Sequence, residues 1–96
     1  MDTFVILRRS GWADKADLDA AGARSTSAAE HMAADITWLR SYVLVEPDGR
    51  LGTVCVYQAT DPDAIRRHAN AADLPVDEIV PVADVVVVNA DPEPPT

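Results

Sequence analysis

The chain has 96 residues, eight basic against sixteen acidic, and a formal net charge of −8. That length makes one domain able to bury a single modest core, and the charge sets it against nucleic-acid backbones and anionic membrane surfaces. Its one cysteine cannot form an internal disulfide, its first nine residues lack the apolar stretch of a secretory signal, and no apolar run approaches the roughly twenty residues that span a bilayer. The expectation is a cytoplasmic protein with no nucleic-acid and no membrane partner.

Thr3 to Arg9 reads as a strand buried on both faces, near the centre of a sheet, with Arg8 and Arg9 at its end. Leu18, Ala21, Gly22, Ser25, Ala28, Ala29 and Met32 then recur at helical spacing. Asp17 and Asp19 lie near the start of that helix, where the macrodipole favours acids. Gly22 and the run Ser25-Thr26-Ser27 lower its propensity and predict an irregular middle. Ile36 to Glu46 and Leu51 to Gln58 are rich in β-formers and are joined by Pro47-Asp48-Gly49, which is turn chemistry, so the pair is a hairpin. Asp61 or Thr60 can cap a second helix with Pro62 in its first turn, running to about Ala72 and stopping before Pro75. Ile79 to Val88 is a last strand, and Pro81 within it argues for an edge. The domain therefore spans 1–88. Residues 89–96, with three prolines and two acids, form an acidic, proline-rich tail expected to be disordered.

The order β-α-β-β-α-β is the split βαβ arrangement of the ferredoxin-like α+β fold, a four-stranded antiparallel sheet with two helices on one face. The first and third strands are then central, and the second and fourth are edges. Strict alternation places Leu39, Ser41, Val43 and Val45 on the helix-covered side with Val54 and Val56. It leaves Trp38, Arg40, Tyr42, Thr53, Cys55 and Tyr57 on the open side. An open face carrying aromatics is an exposed patch, and pairing with an identical sheet in a homodimer, the dimeric α+β barrel arrangement, is its simplest cover.

Four motifs come in fixed order: Trp38-Leu39-Arg40-Ser41-Tyr42, Val54-Cys55-Val56-Tyr57, Ile65-Arg66-Arg67-His68 and Leu74-Pro75-Val76-Asp77-Glu78-Ile79. Over Trp38 to Val82 the chain resembles a family of small bacterial ferredoxin-like proteins, a domain-of-unknown-function family of which one branch binds nickel. The resemblance implies a dimer. In the nickel-binding branch it implies a histidine at the end of the first strand, another in the first helix, a Cys-x-x-Glu-Ala-Pro segment and a histidine in the second helix. Here Arg8 and Arg9 stand at the first place, and Gln58-Ala59-Thr60 follows Cys55 where a carboxylate and a proline would be. Cys55 and His68 are kept as the metal candidates. Arginines in place of histidines favour a small anion, or no ligand, over a divalent cation such as nickel.

Each candidate also has a structural reading. Cys55 between valines suits inert packing, and His68 near the border of an apolar helix face suits a satisfied boundary histidine. His31 suits the C-terminal end of the first helix. Arg8 or Arg9 with Arg40 could converge on a carboxylate or phosphate, or pair with acids of the same dimer. Trp38, Tyr42 and Tyr57 could line a ligand pocket or an interface core, where aromatics and arginine are enriched. Three classes follow: a dimeric binding protein for a metal ion or small ligand, a cofactor-free monooxygenase-like enzyme of the dimeric α+β barrel type, and a structural dimerising module. No recognisable spacing of nucleophile and base favours the enzyme.

Overall fold

The computed structural model describes residues 1–94. Six elements follow one another: β1 (Asp2–Trp12), α1 (Lys15–Glu30), β2 (Ile36–Val45), β3 (Leu51–Ala59), α2 (Pro62–Ala72) and β4 (Glu78–Pro81). The sheet is antiparallel in the order β2-β3-β1-β4, so the ferredoxin-like expectation holds, with β1 and β3 central. Both helices start on aspartate caps. The Asp14 side chain accepts from Asp17 N at 3.0 Å and that of Asp61 from Ala64 N at 2.8 Å, each satisfying a backbone donor the helix cannot. Pro62 opens α2, and Asp73 closes it in the left-handed region at φ 53°. The hairpin turns through Gly49 at φ 82°, a conformation glycine takes without strain.

Three expectations change. The first helix is continuous through Gly22 and Ser25–Ser27, with Thr26 Oγ1 donating back to Gly22 O at 3.0 Å, so low propensity is outweighed by packing against α2. The last strand ends at Pro81 rather than Val88. After Val82 N bonds Thr3 O at 2.9 Å, the chain leaves the sheet, and Val85, Val86, Val87 and Val88 are exposed. The tail crosses the open face, because Asp91 accepts from Arg40 and, at 2.6 Å, from the Tyr42 hydroxyl on the far edge strand. Residues 89–94 form no helix or strand, and the last two positions of the expected tail lie outside the described residues.

The third change concerns the faces of the hairpin. Trp38 pairs with Tyr57, but Arg40 pairs with Val56, so Leu39 is an extra residue in a β-bulge. A bulge reverses the alternation beyond it. Trp38 therefore faces the helices, Ser41 and Val43 also face them, and Arg40 and Tyr42 stay on the open side. On β3 the core-facing set is Thr53, Cys55, Tyr57 and Ala59, all buried, while Val54 and Val56 are half-buried opposite Leu7 and Val5 on the open side. Alternation gave two chemically similar sets on β3, and register with Phe4 and Ile6 of β1 decides between them.

Candidate functional site

With the faces corrected, the helix-covered side of the sheet is a series of rows across three strands. Phe4, Tyr57 and Trp38 make one row, Ile6, Cys55 and Ser41 the next, Arg8, Thr53 and Val43 the third, and Trp12, Leu51 and Val45 the last. Residues opposite one another in neighbouring strands have Cβ atoms about 4.5–5.5 Å apart, so each row is a contiguous strip of side chains. Opposite them, α1 presents Ala21, Gly22 and Ser25. Small residues cannot fill the distance between a helix and a sheet, and a cavity of about 260 Å³ remains there. Trp38, Tyr57, Cys55 and Thr53 form its floor, with Trp12 and Leu74 at the end nearest Arg8. Val43, 52% exposed, and Asp19 also line it, placing its mouth at the β2 edge.

Arg8 is the charged residue of that layer. It is 1% exposed, its Nη1 donates to Pro75 O at 2.7 Å, and its Nη2 is buried without a partner. Among the described residues no carboxylate forms an ion pair with it. A buried charge without a counter-charge is costly, and native sites pair it or neutralise it. Its sequence neighbour behaves oppositely. Arg9 points to the other side of β1 and meets Glu46 through Nε at 2.9 Å and Nη2 at 2.9 Å, while Ser10 N donates to the same carboxylate at 2.8 Å. The Arg9 hydrogen bonds, followed by those from Ser10, hold the Glu46 carboxyl below its ordinary range against the opposing effect of burial. The expected convergence of Arg8 or Arg9 with Arg40 does not form. Arg40 is on the open face with Asp91.

Trp38 and Tyr57 stack with ring centroids 6.1 Å apart and planes 16° apart. Tyr57 continues into a polar chain: its hydroxyl lies 3.1 Å from Ser25 Oγ, and Ser25 Oγ lies 3.5 Å from His68 Nε2. His68 Nε2 also lies 3.0 Å from Ser25 O. A carbonyl only accepts, so Nε2 carries the proton and donates to it. Nδ1 is buried without a partner. Burial first, and the charge of Arg8 second, push the His68 imidazole below its ordinary value, with the Ser25 bond opposing. Burial likewise raises the Tyr57 phenol. Both groups are therefore neutral near pH 7. His31 is exposed at the end of α1, its Nδ1 2.9 Å from Ser27 O.

Cys55 and His68, expected on opposite sides of the sheet, share one side. They do not make a metal centre. The Cys55 thiol donates to Thr53 Oγ1 at 3.4 Å, His68 has Nε2 on Ser25 O and only Nδ1 left to ligate, and no three His, Cys, Asp or Glu side chains among the described residues group closely enough to hold an ion. Tetrahedral or higher coordination by protein side chains needs at least three such donors, so the described residues of one protomer do not by themselves make a nickel site. Sequence reading named Arg8, Trp38, Cys55, Tyr57 and His68 but missed Trp12, Ser25, Ser41, Thr53 and Glu46. The one signal for the cavity was the run of small residues at Ala21, Gly22 and Ser25 on the inward stripe of the first helix.

This arrangement defines a small α+β protein of the split βαβ class with a cavity beneath its first helix. The chain belongs to the nickel responsive protein SCO4226-like family, whose model matches residues 4–82. Among solved structures it is similar to SCO4226 from Streptomyces coelicolor A3(2), with a TM-score of 0.69 and 15% identity over 88% of this chain and 99% of that one. That likeness concerns the fold. No curated protein matches the chain.

Proposed function

We propose that this protein is a homodimeric binding protein whose ligand is a small organic anion held in the cavity between α1 and the sheet, and that it does not hold nickel through Cys55 and His68. The observation carrying this reading is the buried, unpaired Arg8 guanidinium beside a cavity with mostly apolar walls. An organic anion entering there supplies the missing counter-charge and covers the apolar wall in one step. The dimer is supported by the open face, where Val5, Leu7, Leu44, Val54 and Val56 are half-buried and the tail valines are exposed. A cytoplasmic setting suits a single free thiol. If the family's nickel response extends to this chain, it acts through a site other than Cys55 and His68.

Native mass spectrometry of the protein as purified, before and after Ni(II), tests all three parts. The expected result is a dimer carrying a small organic anion and no stoichiometric nickel. Tight nickel uptake abolished by Cys55→Ser or His68→Ala would overturn the cavity reading in favour of a metal centre, and a monomer at micromolar concentration would remove the dimer.

A further inference from the structure

We infer that the ligand of this cavity is a small monocarboxylate carrying one flat apolar group, with its carboxylate at the Arg8–Thr53 row and its flat body along Trp38 and Tyr57. The inference rests on the cavity reading above and adds the chemistry of the ligand.

Charge and donors define the polar end. Arg8 has one N–H group engaged with Pro75 O and an unpartnered Nη2. Thr53 is its direct cross-strand neighbour. Thr53 Oγ1 accepts from the Cys55 thiol at 3.4 Å, and Ser41 Oγ accepts from Trp38 Nε1 at 2.9 Å. Each hydroxyl has one proton to donate, so both remain free as donors after those bonds. The two N–H bonds of Arg8 Nη2 and two hydroxyls, on the cavity side of adjacent rows, match the lone pairs of the two oxygens of a carboxylate. A phosphate fits less well, because it brings more charge than the one guanidinium balances within walls that are otherwise apolar. Asp19, the acid that also lines the cavity, is exposed and already paired with Lys15 at 2.9 Å, so the field inside is set by Arg8.

Shape defines the other end. The Trp38–Tyr57 stack gives a flat aromatic floor, and Ala21, Gly22 and Ser25 give a shallow opposing wall. A Cβ built on Gly22 meets nothing within 4 Å. Between a flat floor and a shallow wall, a planar group makes more contact than a branched one. The cavity of about 260 Å³ falls below the roughly 300–1,000 Å³ of sites for drug-sized ligands, which limits the body to one small ring system.

Both tryptophans of the chain, Trp12 and Trp38, line the cavity, so intrinsic fluorescence reports entry. Ligand-stripped full-length protein is titrated with benzoate and indole-3-carboxylate, with the neutral isosteres benzamide and indole-3-carboxamide, and with inorganic phosphate. Calorimetry supplies the affinities. The carboxylates are expected to bind at least tenfold more tightly than their amides, to lose that advantage in Arg8→Gln, to weaken several-fold in Thr53→Val, and to be excluded in Gly22→Leu. Phosphate is expected not to compete. If amides bind as tightly as carboxylates, the cavity remains a binding site, but the carboxylate assignment falls and with it the organic-anion part of the proposed function. Competition by phosphate at equal concentration would remove the flat-body assignment. If neither charged nor neutral ring compounds bind, or if Gly22→Leu binds them unchanged, the cavity is not the site and both readings fall. The comparison of acid with amide uses the unaltered protein, so it stands even where Arg8→Gln does not fold.

Discussion

Replacing Gly22 tests the cavity without touching a polar group. Gly22 lies in the middle of α1, half-buried, with open space where its Cβ would go. Glycine inside a helix costs about 1 kcal/mol relative to alanine, because more backbone freedom is lost on folding. Gly22→Ala therefore gains roughly that amount with no clash to offset it. For a domain of 60–100 residues each kcal/mol moves the melting temperature by about 4–8 °C, and the alanine variant is expected to melt higher by that interval. Gly22→Leu goes further. A fully buried leucine side chain contributes about 1.5–3 kcal/mol, and partial burial in the cavity adds about half of that to the helix gain. Urea unfolding of ligand-stripped protein at several wavelengths measures both, with the denaturant slope checking that the transition remains two-state. A leucine variant less stable than the alanine variant would show that α1 packs directly on the sheet. An alanine variant no more stable than the parent would refute the reasoning about the open space at Gly22 altogether.

Gly52 supplies the opposite sign, since a Cβ there would stand 2.7 Å from Arg8 O and 2.9 Å from Glu46 Oε2; Gly52→Ala is expected to destabilise by about 1–3 kcal/mol in the same urea assay. His68 predicts a pH dependence. Its folded-state pKa lies below the usual 6.5, so the unfolded chain binds the extra proton first. Its contribution is complete above about pH 6.5 and is lost as pH falls through the folded-state value. Unfolding free energy measured from pH 8 to 5 should decline below 6.5, and the decline should flatten in His68→Gln; Tyr57, which packs on the imidazole and whose phenol is raised by burial, stays neutral across that window. Glu46, held low by Arg9, adds a second loss of stability at more acidic pH that Glu46→Gln removes. Nickel at a hundred times its dissociation constant would raise stability by about 2.7 kcal/mol if it bound the fold. No rise in melting temperature is expected on adding it, and none is expected to be lost on adding EDTA.

Periodicity and turn chemistry carried the element order, because caps, prolines and hydrophobic spacing are local signals: Asp61-Pro62 marks the start of α2, and Pro47-Asp48-Gly49 marks the hairpin. The sides of the sheet were not local. On β3 the sets Thr53, Cys55, Tyr57 and Val54, Val56 are both acceptable core faces by composition, and cross-strand register with Phe4 and Ile6 decides between them. On β2 the extra residue Leu39 reverses the alternation, and nothing in Trp38-Leu39-Arg40 distinguishes a bulge from a regular strand. These two errors separated Cys55 from His68 and joined Trp38 to Tyr42, which inverted the reading of where a site lies. β1 shows a related effect. Ser10 at φ 49° and the irregularity between Arg8 and Trp12 extend the strand past the expected stop and bring Trp12 back beside the cavity.

The paired arginines at the end of β1 show how one strand serves both sides of the sheet. Successive residues of a strand face opposite sides, so Arg8 and Arg9 enter different environments. Arg9 reaches the half-solvated side and is fixed by Glu46, which balances its charge. Arg8 enters the layer beneath α1, where its charge depresses His68 and acts on Tyr57. Any ion placed between Cys55 and His68 would feel the same field. Cys55 follows Thr53 by two positions and is thus a diagonal neighbour of Arg8 across the β1–β3 pair, at about 7–8 Å. A divalent cation in that layer is repelled by the guanidinium. The same field attracts a carboxylate. On the proposed reading, arginine where the resemblance implies histidine does more than remove a metal ligand, because it reverses the sign of the charge that the layer favours. Restoring that sign is a direct check: Arg8→His should abolish carboxylate binding and, if the layer geometry is otherwise competent, open the Cys55–His68 side to Ni(II), detectable as a thiolate-to-nickel charge-transfer band. Retention of carboxylate binding in that variant would show that Arg8 does not anchor the ligand.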